Sequence, residues 1–501
     1  MGTDLLHRSP MNALLGYRSH AGLLFGLSIG MLLTNPFGPA QAQDALQLHP
    51  KNPHYFLWRG EPTVLITSGE HYGAVLNLDF DYVTYLDTLA KDKLNLTRTF
   101  AGGAYYEPQG SFQIARNTLA PAPGRFICPW ARSESPGYVG GGNKFDLARW
   151  DEAYFRRLRD FVDQASRRGI VVELNLFCPF YDESQWNLSP FNAPNNINDL
   201  GQVSRTNVYT LDKNGGLLSW QERMVRKIVQ ELTDADNVYY EICNEPYYGG
   251  VTLAWQHHIA GVIGEAQKDH VRRKLISQNI ANNSAKIEQP DPAVSIFNFH
   301  YASPPDAVAI NYQLNRVIGD NETGFRGTND APYRMEAWDF LMAGGGLYNN
   351  LDYSFTAGHE NGTFVYPASQ PGGGNPVFRK QMRILRDFMH SLDFVKMRPE
   401  NGCIKSRFPL NLGVRALAEP GKTYAIYLRS PAPIPANSEP VFIEIDLPAA
   451  SYRAAWVDTV EGAVMKAEDF EHGGGVRKLS APRFTQDLAL RIERASASPP
   501  H

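Results

Sequence analysis

Apolar positions along the chain fall into two kinds of run that alternate. The first kind is short and strand-like, several members being near-continuously apolar, at residues 63–67, 94–100, 170–177, 238–244, 274–280, 294–300, 316–322 and 347–355. Runs of this length and composition predict parallel strands buried on both faces. The second kind has one apolar face. Residues 152–168 are the clearest case, with Phe155, Leu158, Phe161, Val162 and Ala165 on one side and arginines on the other. Residues 81–93, 218–233, 254–269, 332–343 and 378–396 repeat the pattern and predict helices. The connection between the fifth and sixth strands is loop-like and has no long helical pattern. Residues 54–59, followed by a turn at Gly60-Glu61-Pro62, read as a short β entry.

Strands alternating with helices in this number predict an α/β fold, a (β/α)8 barrel. An open doubly wound sheet fits less well, because no glycine-rich dinucleotide fingerprint or phosphate loop follows the first strand. After the second strand comes a long irregular stretch, 102–143, rich in glycine and proline. On the rim of a barrel a loop of that length would wall a substrate cleft. From about Asn401 the pattern changes to short alternating strands at 412–418, 423–429, 441–447, 453–457 and 488–494, separated by turn residues. This predicts a small antiparallel β-sandwich packed directly on the barrel.

The N-terminus carries Arg8, Arg18 and His20, then an apolar run over 21–33, then Ala40-Gln41-Ala42. A basic flank, a short apolar core and a small-x-small site are the parts of a secretory signal, with cleavage expected after Ala42. The expected organisation is therefore a signal peptide (1–42), a barrel (43–398), a sandwich (399–495) and a disordered tail (496–501). The protein is expected to be secreted or periplasmic, with no membrane association after cleavage. Export permits disulfides. Of the four cysteines, Cys178 and Cys243 lie in or beside apolar runs and read as small buried side chains, and Cys128 is the better candidate for a bridge. Cys403 completes the set, and the spacing suggests no metal site. A net charge of −4 gives no electrostatic reason to expect nucleic acid.

Two strand ends carry candidate chemistry. The run 238–246 (VYYEICNEP) ends the fourth strand in Asn244-Glu245-Pro246, where proline stops the ladder. The run 316–324 (RVIGDNETG) ends the seventh in Glu322, and Gly324 lets the chain turn away. On a barrel these positions face one another across the catalytic rim. Two carboxyl groups across a cleft are the minimum machinery for glycoside cleavage, one protonating the leaving oxygen and one attacking the anomeric carbon. Partial desolvation, near Tyr247 and Tyr248, would raise the pKa of Glu245 and keep it protonated.

Strand ends reading Asn-Glu-Pro and Glu-Thr-Gly, with Arg98 on the second strand and His300-Tyr301 on the sixth, resemble glycoside hydrolase clan A, most closely its family 5 (cellulase-type) members. The resemblance covers roughly residues 50 to 395. It implies Glu245 as acid/base and Glu322 as nucleophile of a retaining enzyme. It further implies Asn244 as the amide on the sugar 2-hydroxyl and Arg98 as the group that keeps the nucleophile ionised. Family members place a histidine in the cleft and a tyrosine on the nucleophile two positions later. Here the pair is adjacent, and either His300 or Tyr301 could face Glu322. The eighth-strand tryptophan platform has no counterpart, and Tyr348, Tyr353 and Phe355 are offered instead. The third strand ends in Phe177-Cys178-Pro179-Phe180 without the histidine often found there.

Other residues carry a functional expectation beside a structural one. Trp186, Tyr105, Tyr106, Tyr247 and Tyr248 are candidates for sugar stacking or for plain packing. Glu360, in the run 356–362 (TAGHENG), is a rival carboxylate on the wrong strand for displacement opposite Glu245 but placed to touch substrate. His257-His258 lies on a helix and reads as solvated. The expected activity is a secreted retaining β-glycoside hydrolase acting on a poly- or oligosaccharide without a cofactor or metal. The alternatives are a transglycosylase using the same two glutamates, and a non-catalytic carbohydrate-binding or adhesion protein on a glycosidase-like barrel.

Overall fold

The computed structural model describes residues 45–102 and 105–495. The expected signal peptide, its cleavage point and the expected tail lie outside the described residues. Among those described, no helix is long and apolar enough to cross a membrane.

Eight parallel strands build the first part of the chain: β1 (Leu65–Gly69), β2 (Leu96–Phe100), β3 (Val171–Phe177), β4 (Val238–Cys243), β5 (Ile276–Asn282), β6 (Ile296–His300), β7 (Val317–Thr323) and β8 (Leu347–Leu351). They hydrogen-bond in sequence order from β2 to β8, and β8 pairs with β1. The seam between β1 and β2 is closed at Asn95, whose own N–H donates to the Ile66 carbonyl at 3.3 Å. Asn95 accepts from the Ile66 N–H at 2.8 Å and donates to the Val64 carbonyl at 2.9 Å. The amide thus imitates a strand pair where the register runs out. All eight strands coincide with the apolar runs of the sequence, which is why the (β/α)8 barrel was legible.

The barrel interior is layered. At its lower end Leu65, Leu96, Val171, Tyr239, Ile296, Val317 and Leu347 form one apolar cluster with Leu46, Phe56 and Trp58. The last two come from a small hairpin (Phe56–Trp58 and Glu61–Thr63) that plugs the bottom. Above this plug the inward positions turn polar, and the site stands on that polar layer.

Helices α1 (Tyr82–Lys91), α2 (Glu152–Arg167), α3 (Leu218–Glu231), α4 (Leu253–Ala266), α5 (Asp306–Asn311), α6 (Asp330–Met342) and α7 (Pro376–His390) cover the outside. Their ends follow local chemistry. Asp151 caps α2 by accepting from Ala153 N–H and Tyr154 N–H, and Asn375 caps α7 with proline in its first turn. No helix joins β5 to β6, as the sequence indicated. The sequence pattern missed α5, and it overran α7, whose predicted last turn is a separate 3-10 turn at Phe394–Lys396. The loop after β2 is also less irregular than expected, because Trp130–Pro136 and Asn143–Trp150 pair as an antiparallel ribbon.

Beyond α7 the chain forms a β-sandwich. Strands β9 (Ile404–Phe408), β12 (Phe442–Leu447) and β15 (Gly475–Ser480) make a three-stranded sheet. The other sheet contains β10 (Gly413–Glu419), β11 (Thr423–Arg429), β13 (Ala450–Asp458), β14 (Val464–His472) and β16 (Asp487–Arg494), with a two-residue strand at its edge. Alternation along β11 and its neighbours serves two cores. Tyr424, Ile426 and Leu428 enter the sandwich interior, whereas Ala425 and Tyr427 join the barrel core. Tyr427 stacks on Trp338 of α6 at 5.7 Å. Beside them the buried Arg334 makes a forked pair with Asp487, which also accepts from Tyr427 and Thr459. Removing one partner of a buried ion pair strands the other charge. Asp487→Ala is expected to cost about 3–5 kcal/mol, read as a lower denaturation midpoint.

All four cysteines are free and buried. The expectation of a bridge at Cys128 is therefore corrected. Its thiol sits inside the barrel core, facing the Trp130 carbonyl at 3.6 Å.

Candidate active site

At the upper rim, Asn244 and Glu245 follow the end of β4, and His300 ends β6 with Tyr301 next to it. Successive strand side chains normally point to opposite faces. Here Glu245 and Tyr301 have φ of 36° and 54°, in the left-handed region. Asn244, Glu245 and Tyr301 all line the cavity, whereas His300 is wholly buried and meets Glu245 through its Nδ1. Strain of this kind in a non-glycine residue persists only where surroundings enforce it. Glu245 is fixed by its own N–H on the Asn279 amide oxygen at 3.1 Å. The Tyr301 N–H donates to the Glu322 carbonyl at 2.9 Å.

Glu322 closes β7 and is nearly buried. Arg98 and Tyr72 donate to its Oε2 at 3.2 and 3.0 Å, and Tyr301 donates to Oε1 at 2.7 Å. The adjacent His300-Tyr301 pair is thereby resolved, with Tyr301 facing Glu322. The Nδ1 of His300 lies between the two acids, 3.3 Å from Glu245 Oε1 and 3.5 Å from Glu322 Oε1. Glu245 also accepts from Tyr181 at 2.5 Å and from Tyr247 at 3.2 Å. One oxygen of Glu245, one oxygen of Glu322 and a ring nitrogen of His300 lie within 4.8 Å of one another. Such a group could hold a cation. All four carboxylate oxygens, however, already accept hydrogen bonds, and the Arg98 guanidinium is against Glu322.

The expected raised pKa of Glu245 is not what the free cleft gives. Burial pushes its carboxyl up, but the hydrogen bond and charge of His300, with the Tyr181 and Tyr247 donors, outweigh burial and hold it below its ordinary value. A group that must be protonated to act loses activity as pH rises through its pKa. His300→Ala leaves burial dominant, so the alkaline limb of kcat/KM is expected to move to higher pH, by about 1–3 units. A limb that stays in place would show that His300 does not control Glu245.

Beneath Glu322 lies the polar layer. Arg98 is wholly buried, and its second terminal nitrogen bonds both Glu241 and the Asn244 amide oxygen, the latter at 2.6 Å. Asn298 donates to Glu173 at 2.9 Å and to Glu241 at 2.8 Å, and Asn321 bridges the same two acids. Two adjacent buried carboxyls cannot both ionise beside one guanidinium. Burial and the Glu241 charge push Glu173 well above its usual range. Glu241 is also raised by burial, yet Arg98 and its hydrogen-bond donors bring it below its usual range. Glu173→Gln is therefore expected to keep most activity, whereas Glu241→Gln removes the anion that holds Arg98 and should cost on the order of 10²-fold in kcat, checked by steady-state kinetics of the two variants.

The cavity above the acids is about 290 Å³ and is lined by aromatic rings and a few polar groups. Tyr105 and Tyr248 reach it, and Tyr247 flanks it through its bond to Glu245. Trp186 does not. It is buried against Phe180 at 4.9 Å, a packing residue. Tyr106 is likewise buried, stacked on Phe126 at 4.1 Å. Glu360 accepts from the N–H groups of Asp81 and Gly358 and is corrected from a substrate contact to a support at the start of α1. Tyr353 is buried edge-on to His71 at 5.7 Å and does not line the cavity. Neither Tyr348, bonded to the Tyr333 carbonyl, nor Phe355, packed on Tyr85, forms a platform. On α4, His258 bonds Glu222 at 2.7 Å, far from any ligand role.

Several lining residues escaped the sequence reading. His71 and Tyr72 follow β1 directly, a rim position that could have flagged them. Tyr181 lies just past the end of β3. Glu107, Phe112 and Phe325 come from loops, where sequence carries no register.

No protein-family model and no curated protein matches the chain. Solved structures do. A glycoside hydrolase family 5 protein from Bacteroides vulgatus ATCC 8482 superposes with a TM-score of 0.61 at 12% identity, covering 90% of this chain and 94% of its own. A second structure, named glycoside hydrolase, gives a TM-score of 0.58 at 14% identity over 92% of this chain and 99% of its own. Both alignments extend through barrel and sandwich together. The chain has the two-part fold of family 5-like glycoside hydrolase structures.

Proposed function

We propose that this protein is a retaining β-glycoside hydrolase in which Glu322 is the nucleophile and Glu245 the acid/base. The observation that carries this is the close approach of the two carboxyl groups, an oxygen of one lying within 4.8 Å of an oxygen of the other across the barrel mouth. Direct attack needs a separation of about 5–5.5 Å, whereas a single displacement by water needs about 6.5–9.5 Å. The shared fold with proteins named as glycoside hydrolases supports the same chemistry.

In the first step Glu322 Oε attacks the anomeric carbon while Glu245 gives its proton to the departing oxygen. Arg98, Tyr72 and Tyr301 orient the attacking oxygens through the three hydrogen bonds described. In the second step Glu245 takes a proton from water, which attacks the glycosyl ester and regenerates Glu322. The amide of Asn244, fixed by Arg98 and Tyr181, is placed to meet the sugar 2-hydroxyl. Export through a cleaved N-terminal signal is part of the proposal, and the sandwich, joined to α6 by Asp487, would brace the barrel. The full chain is assayed on a panel of aryl β-glycosides and β-linked oligosaccharides. Release of aglycone or reducing sugar is expected, and a folded protein inactive on every member would overturn the proposal.

A further inference from the structure

Glu107 has no part in the two steps above, yet it faces the same cavity. It is 3% exposed and comes from the loop after β2. Tyr105 donates to one of its oxygens at 2.9 Å, and Asn117 donates to the other. Its N–H is held on the Leu119 carbonyl at 2.8 Å. A carboxylate has about four acceptor sites, so two are unused in a side chain that lines the cavity. Among the described residues it has no ion-pair partner. Burial, with the Glu322 charge added, pushes its carboxyl up to about 7. At mildly acid pH it can therefore donate as well as accept.

His71 lines the same cavity from the loop after β1, and its buried Nδ1 has no hydrogen-bond partner. Its ring stands edge-on to Tyr72 at 5.4 Å and to Tyr353 at 5.7 Å. Burial lowers its pKa to about 4, so the imidazole is neutral and offers one donor and one acceptor. Both loops are locked together. Glu70 accepts from the Gly73 and Ala74 N–H groups and from Thr118, whose hydroxyl also meets the His71 carbonyl at 2.8 Å. Beside Glu107, Thr118 and Leu119 are buried, and Leu119 lines the cavity with it. Buried polar groups with unused hydrogen-bonding capacity are costly unless something arrives to use it.

We infer that Glu107 and His71 form the hydroxyl-reading end of the sugar site. Two ring hydroxyls of the sugar seated over Glu322 bond to the Glu107 carboxyl and the His71 imidazole. The substrate is then a glycoside whose reactive sugar is unsubstituted at those hydroxyls. This rests on the proposed glycosidase activity and adds the feature of the sugar that the site selects.

The test compares wild type, Glu107→Gln and Glu107→Ala on the best aryl glycoside and its monodeoxy and mono-O-methyl analogues. For Glu107→Ala on the parent substrate, kcat/KM should fall about 10- to 100-fold, the scale of a hydrogen bond to a charged group. One deoxy analogue should be impaired to the same degree in wild type and no further in the variant. Equal extra loss on every analogue would mean that Glu107 only supports the loop, and would overturn the inference. Wild type inactive on all glycosides would instead defeat the hydrolase proposal. The same comparison by calorimetric titration of free deoxy sugars needs no turnover and decides the Glu107 contact in that case too. Glu107→Gln keeps the shape of the side chain and serves if the alanine variant does not fold.

Discussion

Glu322→Ala is expected to lower kcat on an aryl β-glycoside on the order of 10⁵-fold while leaving the protein folded. The large effect follows from losing the attacking atom itself, with no other carboxyl placed to replace it. Glu107 lies in the same cavity, but its two oxygens are tied to Tyr105 and Asn117. Glu360 is engaged with backbone outside the cavity. Azide should restore part of the rate by entering the space left by the carboxylate. It attacks the anomeric carbon once, so the product is an α-glycosyl azide. Restored turnover that yields only the free sugar, or a variant with near-normal kcat, would remove Glu322 from the role.

Glu245→Ala carries the second large effect, and here the effect depends on the substrate. A general acid contributes about 10²–10⁴-fold where the leaving oxygen needs a proton. Loss of that order in kcat/KM is expected for alkyl or sugar leaving groups. For a dinitrophenyl glycoside, whose leaving group departs as a stable anion, kcat/KM should stay close to wild type. The second step then becomes slow, because no base activates water. Azide should speed it and give a β-glycosyl azide, opposite in configuration to the Glu322 variant's product. An equal loss for good and poor leaving groups would assign Glu245 to binding alone.

The barrel was legible because its strands are buried on both faces, so several read as near-continuous apolar runs, bounded where the chain turns. The sandwich was legible only in part. β14 presents an exposed, charged face along VMKAEDFEH, and β15 is mostly exposed, so neither carries the alternation that marks a half-buried strand. The strand-end chemistry of Arg98, Asn244, Glu245, His300 and Glu322 could be read because a strand's last inward residue has a fixed address on the rim. Tyr181, Glu107 and Phe325 lie on loops and have no such address. Glu173 and Glu241 are charges inside strand runs that the sequence reading passed over, and their sharing of Arg98 with Glu322 depends on closing the barrel. The lowered pKa of Glu245 was beyond sequence for a related reason. Burial alone argues for a raised value, and only the position of the His300 ring reverses the sign.

The most direct test follows the anomeric protons by NMR while the enzyme acts on an aryl β-glycoside. Double displacement through Glu322 predicts that the β-anomer of the released sugar appears first, with the α-anomer growing in later by mutarotation. Appearance of the α-anomer first would mean that water, and not Glu322, attacks the sugar.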